Sequence, residues 1–136
     1  MTDEPCIGTV MLIDDEQADQ MMYRRVLKRS GMVRDQISFQ YADEALAYLK
    51  KEDREEIDLI LLDINMPRMN GFEFLEAATA ELGPAFAKAV VVMLTTSIDP
   101  RDRERAEKFS VVRKFINKPL TIEHVEVIAK IVESEA

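Results

Sequence analysis

With 136 residues, 47% of them hydrophobic and 32% charged, the chain has the size and balance of one packed domain, too apolar for a disordered tail and too short for two independent cores. Eighteen basic against twenty-six acidic side chains leave a net charge of −8, which repels nucleic-acid phosphates and anionic lipid surfaces and points to proteins or small ligands as partners. The lone cysteine, Cys6, can form neither an internal disulfide nor a thiolate zinc site, and the first apolar run breaks at Asp14, too soon for a membrane span or a signal peptide, so a cytoplasmic protein without membrane or nucleic-acid partners is expected.

The first apolar run, 8–13, is short and rich in branched residues, the pattern of a strand buried on both faces. Helical spacing follows over 17–29, with Met21, Met22, Val26 and Leu27 on one side and Gly31 just past the end as a stop signal. A weaker strand is expected at 37–41, then a helix over 42–51 carrying Ala45, Leu46, Tyr48 and Leu49. The run 57–62 is again a doubly buried strand, followed by a helix over 71–81 with Phe72, Phe74, Leu75 and Ala78. A third such strand, 89–94, precedes a helix over 100–109 that Asp99 and Pro100 open as N-cap and first position. Arg113 and Lys114 make the strand 111–116 one-sided, and the last helix, 121–133, begins with Thr121 and His124 in a cap-like pair. Strict alternation of strand and helix, five times over, implies right-handed crossovers and a parallel sheet covered on both faces: a three-layer α/β domain.

In such a sheet the functional crevice lies beyond the carboxyl ends of the strands, so the polar residues that close them matter most. They are Asp14, Asp15 and Glu16 after the first strand, Asp63 after the third, Thr95, Thr96 and Ser97 after the fourth, and Asn117, Lys118 and Pro119 after the fifth. Gathering Asp14, Asp15 and Asp63 on one rim raises at least one carboxyl pKa by like-charge repulsion unless a cation is bound or one member stays protonated. Oxygen donors without histidine or cysteine select a hard ion, and two carboxylates with a backbone carbonyl suit six-coordinate Mg2+ better than Ca2+. A metal beside a carboxylate, a lysine and a hydroxyl is an arrangement that phosphoryl transfer can use, because the transferred group spreads charge over three oxygens.

The stretches 11–16 (MLIDDE), 61–71 (LLDINMPRMNG), 92–97 (VMLTTS) and 115–120 (FINKPL) resemble, in combination and order, the receiver domain of two-component response regulators, over about residues 7–133. The resemblance implies a flavodoxin-like (βα)5 fold, a three-layer sandwich with a parallel sheet in order 2-1-3-4-5. It also implies that Asp63 takes the phosphoryl group from a histidine kinase. Asp15 then resembles the direct Mg2+ ligand, Asp14 an outer-sphere or second carboxylate, and Asn65 the residue lending a backbone carbonyl. Lys118 resembles the lysine that pairs with Asp63 and later with a phosphoryl oxygen, while the Thr95 hydroxyl meets another of those oxygens. Pro119 would follow a cis peptide, and Gly71 would permit the tight loop after Asp63. Phe115, three residues before Lys118, falls where the family has its aromatic switch: as Thr95 moves toward the phosphoryl group, Phe115 turns inward. Asn70 departs from the aspartate of many relatives, and the segment 94–102 resembles that of stand-alone receivers.

As a resemblance, then, residues 1–136 form one receiver with no output domain, a single-domain regulator that signals by docking to a downstream target protein or by passing its phosphoryl group to a phosphotransfer protein. Phosphorylation-dependent homodimers are a further form its partners could take, and only self-phosphorylation and autodephosphorylation are expected of it as chemistry. Two other readings stay open: a receiver-like interaction module that is never phosphorylated, and a Mg2+-dependent aspartyl phosphatase of the haloacid-dehalogenase type. The second needs a general acid two residues after its nucleophile, where this chain has Asn65, and an amide cannot donate that proton.

Overall fold

The structure, a computed structural model, describes residues 7–96 and 99–134; Cys6 and Ser97 lie outside them. Five strands alternate with five helices: β1 (Ile7–Ile13), α1 (Gln17–Ser30), β2 (Val33–Phe39), α2 (Ala42–Leu49), β3 (Leu59–Asp63), α3 (Gly71–Leu82), β4 (Val90–Thr95), α4 (Pro100–Glu107), β5 (Val112–Asn117) and α5 (Ile122–Ser134). All pairings are parallel, in the order β2-β1-β3-β4-β5, the flavodoxin-like arrangement. The chain leaves β1 toward one edge for β2 and returns on its other side for β3, so the strand order reverses between β1 and β3.

Alternation along the central strands builds two cores. Met11, Ile13, Ile60, Leu62, Val91 and Met93 point toward α2, α3 and α4, where they meet Ala45, Leu46, Phe72, Phe74, Leu75 and Ala106. Val10, Leu12, Leu59, Leu61, Val92 and Leu94 point the other way, to Tyr23 and Leu27 of α1 and Val125 and Ile128 of α5. A strand inside a parallel sheet is thus apolar at every position, which is why its sequence shows no period of two.

Element ends follow local chemistry. Gly31 closes α1 in the left-handed region at φ 68°. The Asp99 side chain accepts from the Arg101 N–H at 2.9 Å, with Pro100 in the first turn of α4. Thr121 and His124 cap reciprocally: the His124 N–H donates to Thr121 Oγ1 at 3.2 Å, and the Thr121 N–H donates to His124 Nδ1 at 3.1 Å. Asn70, the departure from the usual aspartate, forms a capping box with Glu73 at the start of α3.

Two features differ from the sequence reading. β2 begins at Val33 rather than 37, because Val33–Phe39 pair in unbroken register with Ile7–Ile13; in an edge strand, backbone pairing tolerates the polar Arg34, Asp35 and Gln36 that hide the strand from an apolar pattern. A 3-10 helix, Gly83–Lys88, also follows α3 and seats Phe86 edge-on against Phe74.

Gly71 owes its place to close approach and not to an unusual turn. Its N–H donates to the Ile64 carbonyl at 2.9 Å, and a Cβ there would stand 2.6 Å from the Asp63 carbonyl oxygen and 3.1 Å from Ile64 Cα, both backbone atoms. Gly71→Ala is therefore expected to destabilise the fold by roughly 2–4 kcal/mol, read as a fall in the urea midpoint at unchanged slope. An unshifted midpoint would show that the turn after Asp63 has room to spare.

Candidate functional site

The reversal of strand order brings the ends of β1 and β3 side by side, with Ile13 opposite Leu62 and their carboxylates just beyond. Asp14, Asp15 and Asp63 each offer an oxygen lying within 4.8 Å of the others, a donor set able to hold a metal ion. Lys118 enters from the end of β5 after a register that sets Thr95 opposite Asn117; its N–H donates to the Thr95 carbonyl at 2.7 Å, and the Lys118–Pro119 peptide is cis, as the resemblance implied.

Asp14 is 1% exposed and fully engaged. Its Oδ1 accepts from the Glu16 N–H at 2.9 Å, and its Oδ2 accepts from the Tyr23 hydroxyl at 3.0 Å and from Lys118 Nζ at 3.1 Å. Asp63 is 6% exposed; its Oδ1 accepts from the Ile64 N–H at 2.9 Å and lies 3.3 Å from Lys118 Nζ. The ammonium is closest to a residue that the sequence reading left out: Lys118 Nζ donates to Asp19 Oδ2, on the first turn of α1, at 2.8 Å. Lys118 thus spans three carboxylates where the resemblance implied chiefly a pairing with Asp63.

Electrostatics follow from that enclosure. Burial pushes the Asp63 carboxyl up to about 6, the charge of Asp14 adds to the rise, and Lys118 and the Ile64 N–H only partly offset it. Burial also raises Asp14, against the Glu16 N–H, Lys118 and Tyr23, which all pull it down. Like-charge repulsion, named from the sequence as the cause, is therefore secondary to desolvation. For Lys118 burial disfavours the charged form, but the Asp19 bond and the charges of Asp14 and Asp63 outweigh it and hold its pKa above the usual lysine range. The Tyr23 hydroxyl is raised by burial and by the Asp14 charge, so it remains a donor.

Thr95 closes β4 and is buried, whereas Thr96 is exposed. Phe115 stands opposite Met93, two residues before Thr95 on the same face; it is half-buried, and the Arg103 guanidinium lies 5.8 Å from its ring centre. Asn65 is exposed in the loop two residues past Asp63.

Asp19 and Tyr23 were missed because nothing local marks them. An acid in a first helical turn is ordinarily a partner for the helix dipole, and a tyrosine on an apolar stripe is ordinarily core. Only the spacing of Asp14, Asp19 and Tyr23 along one helix entry hints that all three look at the same point.

The family model described as the response regulator receiver domain matches residues 10–130. The chain belongs to that family. This receiver is 33% identical over 97 residues to the response regulator Rcp1 of Synechocystis sp., covering 68% of this chain and 65% of Rcp1, so it spans just under two thirds of that relative's length. Among solved structures it is similar to a two-component response regulator from Cytophaga hutchinsonii, with a TM-score of 0.86 at 29% identity, covering 94% of this chain and 98% of the other. The phosphorylated cyanobacterial phytochrome response regulator RcpA superposes with a TM-score of 0.72 at 28% identity, covering 93% and 89% of the two chains. The Mn2+-bound form of Rcp1 superposes with a TM-score of 0.73 at 27% identity over the same shares. Receivers are signalling modules of two-component systems, where they meet histidine kinases and downstream targets, and they are in general not turnover enzymes. Among the described residues, no helix is long and apolar enough to cross a membrane.

Proposed function

We propose that this receiver takes a phosphoryl group on Asp63 from a histidine kinase and signals by docking to a target protein or by handing the group on in a relay. The observation that carries the reading is the placement of Asp63: a strand-end carboxylate at the switch point, anchored by one backbone N–H, with a lysine ammonium 3.3 Å from it and two further carboxylates on the same rim. That two similar receivers have been solved phosphorylated and with Mn2+ bound supports it.

In the transfer, an Asp63 carboxylate oxygen forms a bond to phosphorus as the donor's P–N bond breaks. The histidine imidazole leaves with the bonding pair and takes its proton from water; with acetyl phosphate the P–O bond breaks and acetate leaves. The nucleophile must be ionised, and a carboxyl titrating near 6 is mostly so at neutral pH. The Lys118 ammonium meets charge on one phosphoryl oxygen, and the Thr95 hydroxyl donates to another. Asp15 and Asp63, with the Asn65 backbone carbonyl and Asp14 at inner or outer range, are the residues that would hold Mg2+; their all-oxygen, acidic character fits a hard divalent ion. Bound there, Mg2+ would neutralise charge on the phosphoryl oxygens. Phe115 follows Thr95 inward and changes the face formed by α4, β5 and α5.

Incubation with Mg2+ and acetyl phosphate is expected to add one phosphoryl group to the intact protein, seen by mass spectrometry, and none when EDTA replaces Mg2+. Steady hydrolysis of many phosphomonoesters would replace this reading with a phosphatase, and an unmodified chain with a receiver that acts only by contact.

A further inference from the structure

The Lys118 ammonium lies among three carboxylates: it donates to Asp19 at 2.8 Å and to Asp14 at 3.1 Å, and forms an ion pair with Asp63 at 3.3 Å. The longest of these contacts is the one to Asp63. Asp19 lies on α1, across the rim from β3, so its bond draws the lysine away from the carboxylate that is to be modified. Its carboxylate is also 30% exposed, against 1% for Asp14, so releasing it strands no buried charge, whereas releasing Asp14 would.

We propose that Asp19 is a positioning residue that tethers Lys118 toward α1 and so restrains phosphorylation of Asp63, a tether the incoming phosphoryl group must outcompete. The inference rests on the phosphoryl-acceptor reading given above. Three carboxylates around one ammonium leave the pocket with a surplus of negative charge, which repels an anionic donor, and two of them hold N–H groups that its oxygens would need. Removing the Asp19 charge relieves both effects. Asp14 stays in place, bound by Tyr23 and the Glu16 N–H, so Lys118 keeps one fixed partner and a reach to Asp63.

Two measurements on the full chain test this. In metal-free protein, the Lys118 side-chain 15N–1H signal should shift in Asp19→Asn and its protons should exchange faster with water, because its shortest charged hydrogen bond is weakened. With Mg2+ and phosphoramidate, Asp19→Asn should be phosphorylated about fivefold faster than the parent, the size expected for one partly exposed charge contact, while Asp19→Glu, which keeps the carboxylate, should return toward the parental rate. An unchanged Lys118 signal would overturn the tether, and so would an unchanged or slower rate in Asp19→Asn. A parent that takes up no phosphoryl group would instead overturn the acceptor reading, with the Lys118 signal still reporting on the tether.

Discussion

Asp63→Asn is expected to abolish acyl phosphate formation altogether and, in metal-free protein at pH 7, to raise the melting temperature by roughly 5–8 °C. The first effect follows because an amide lacks the ionised oxygen that attacks phosphorus. The second follows from the cost of keeping that charge buried. Folding raises the Asp63 pKa from 3.8 to about 6, chiefly by desolvation. Between those values the native state binds more protons than the unfolded chain, so the contribution of Asp63 to stability falls as pH rises through this window. Above it the full penalty applies, on the order of 2–3 kcal/mol, and Lys118 keeps Asp14 and Asp19 when Asp63 loses its charge. Near pH 4 most of that penalty has gone, and well below it the parental carboxyl is protonated in both states, so the advantage of the amide should fade to nothing. Thermal melts of both proteins at pH 4 and pH 7 check this; equal melting temperatures at pH 7 would show that Asp63 carries no buried-charge penalty.

Asp15→Ala is expected to weaken Mg2+ binding at least tenfold, roughly, and to slow phosphorylation by acetyl phosphate by about two orders of magnitude, with partial recovery in excess Mg2+. Of the three clustered carboxylates, Asp15 is the informative one to remove. Asp14 already accepts from Glu16, Tyr23 and Lys118, so truncating it strands the buried Tyr23 hydroxyl and perturbs the fold as well as the site. Asp63 is the proposed nucleophile, so its loss would remove transfer as well as metal binding. Asp15 sits at the rim, and its loss relieves crowding of like charge in the metal-free protein, so the melting temperature should hold or rise. Calorimetric titration with Mg2+, beside the rate of mass gain, reads both effects; parental Mg2+ affinity in the variant would remove Asp15 from the metal site.

Much of this was legible before any coordinates. The strand-end positions of Asp14, Asp63, Thr95 and Lys118 follow from alternation and the rule that parallel sheets work at their carboxyl ends, and the sheet order 2-1-3-4-5 that the resemblance implied is the order observed. What stayed hidden was whatever depends on pairing across space. The polar start of β2 carries no apolar signal because backbone ladders, not side chains, hold it to β1. Asp19 looks like any first-turn acid until the turn of α1 aims it at a lysine 99 residues away. The rise in the Asp63 pKa could be foreseen in direction but not in cause, since burial is a property of the packed rim and charge proximity is the only part that motifs display.

The segment 64–70, leading from Asp63 into α3, is fastened at several points. Gly71 bonds back to Ile64, Asn70 and Glu73 lock the helix entry, and Arg68, held at φ 70°, pairs with Asp43 while its guanidinium lies 4.1 Å from the Tyr41 ring centre. A left-handed arginine costs about 1 kcal/mol, and those contacts keep it there. One jaw of the crevice is therefore clamped. In the proposed switch, a phosphoryl group arriving on Asp63 meets this fastened segment on one side, and the displacement it calls for runs through Thr95 toward Phe115 on the other.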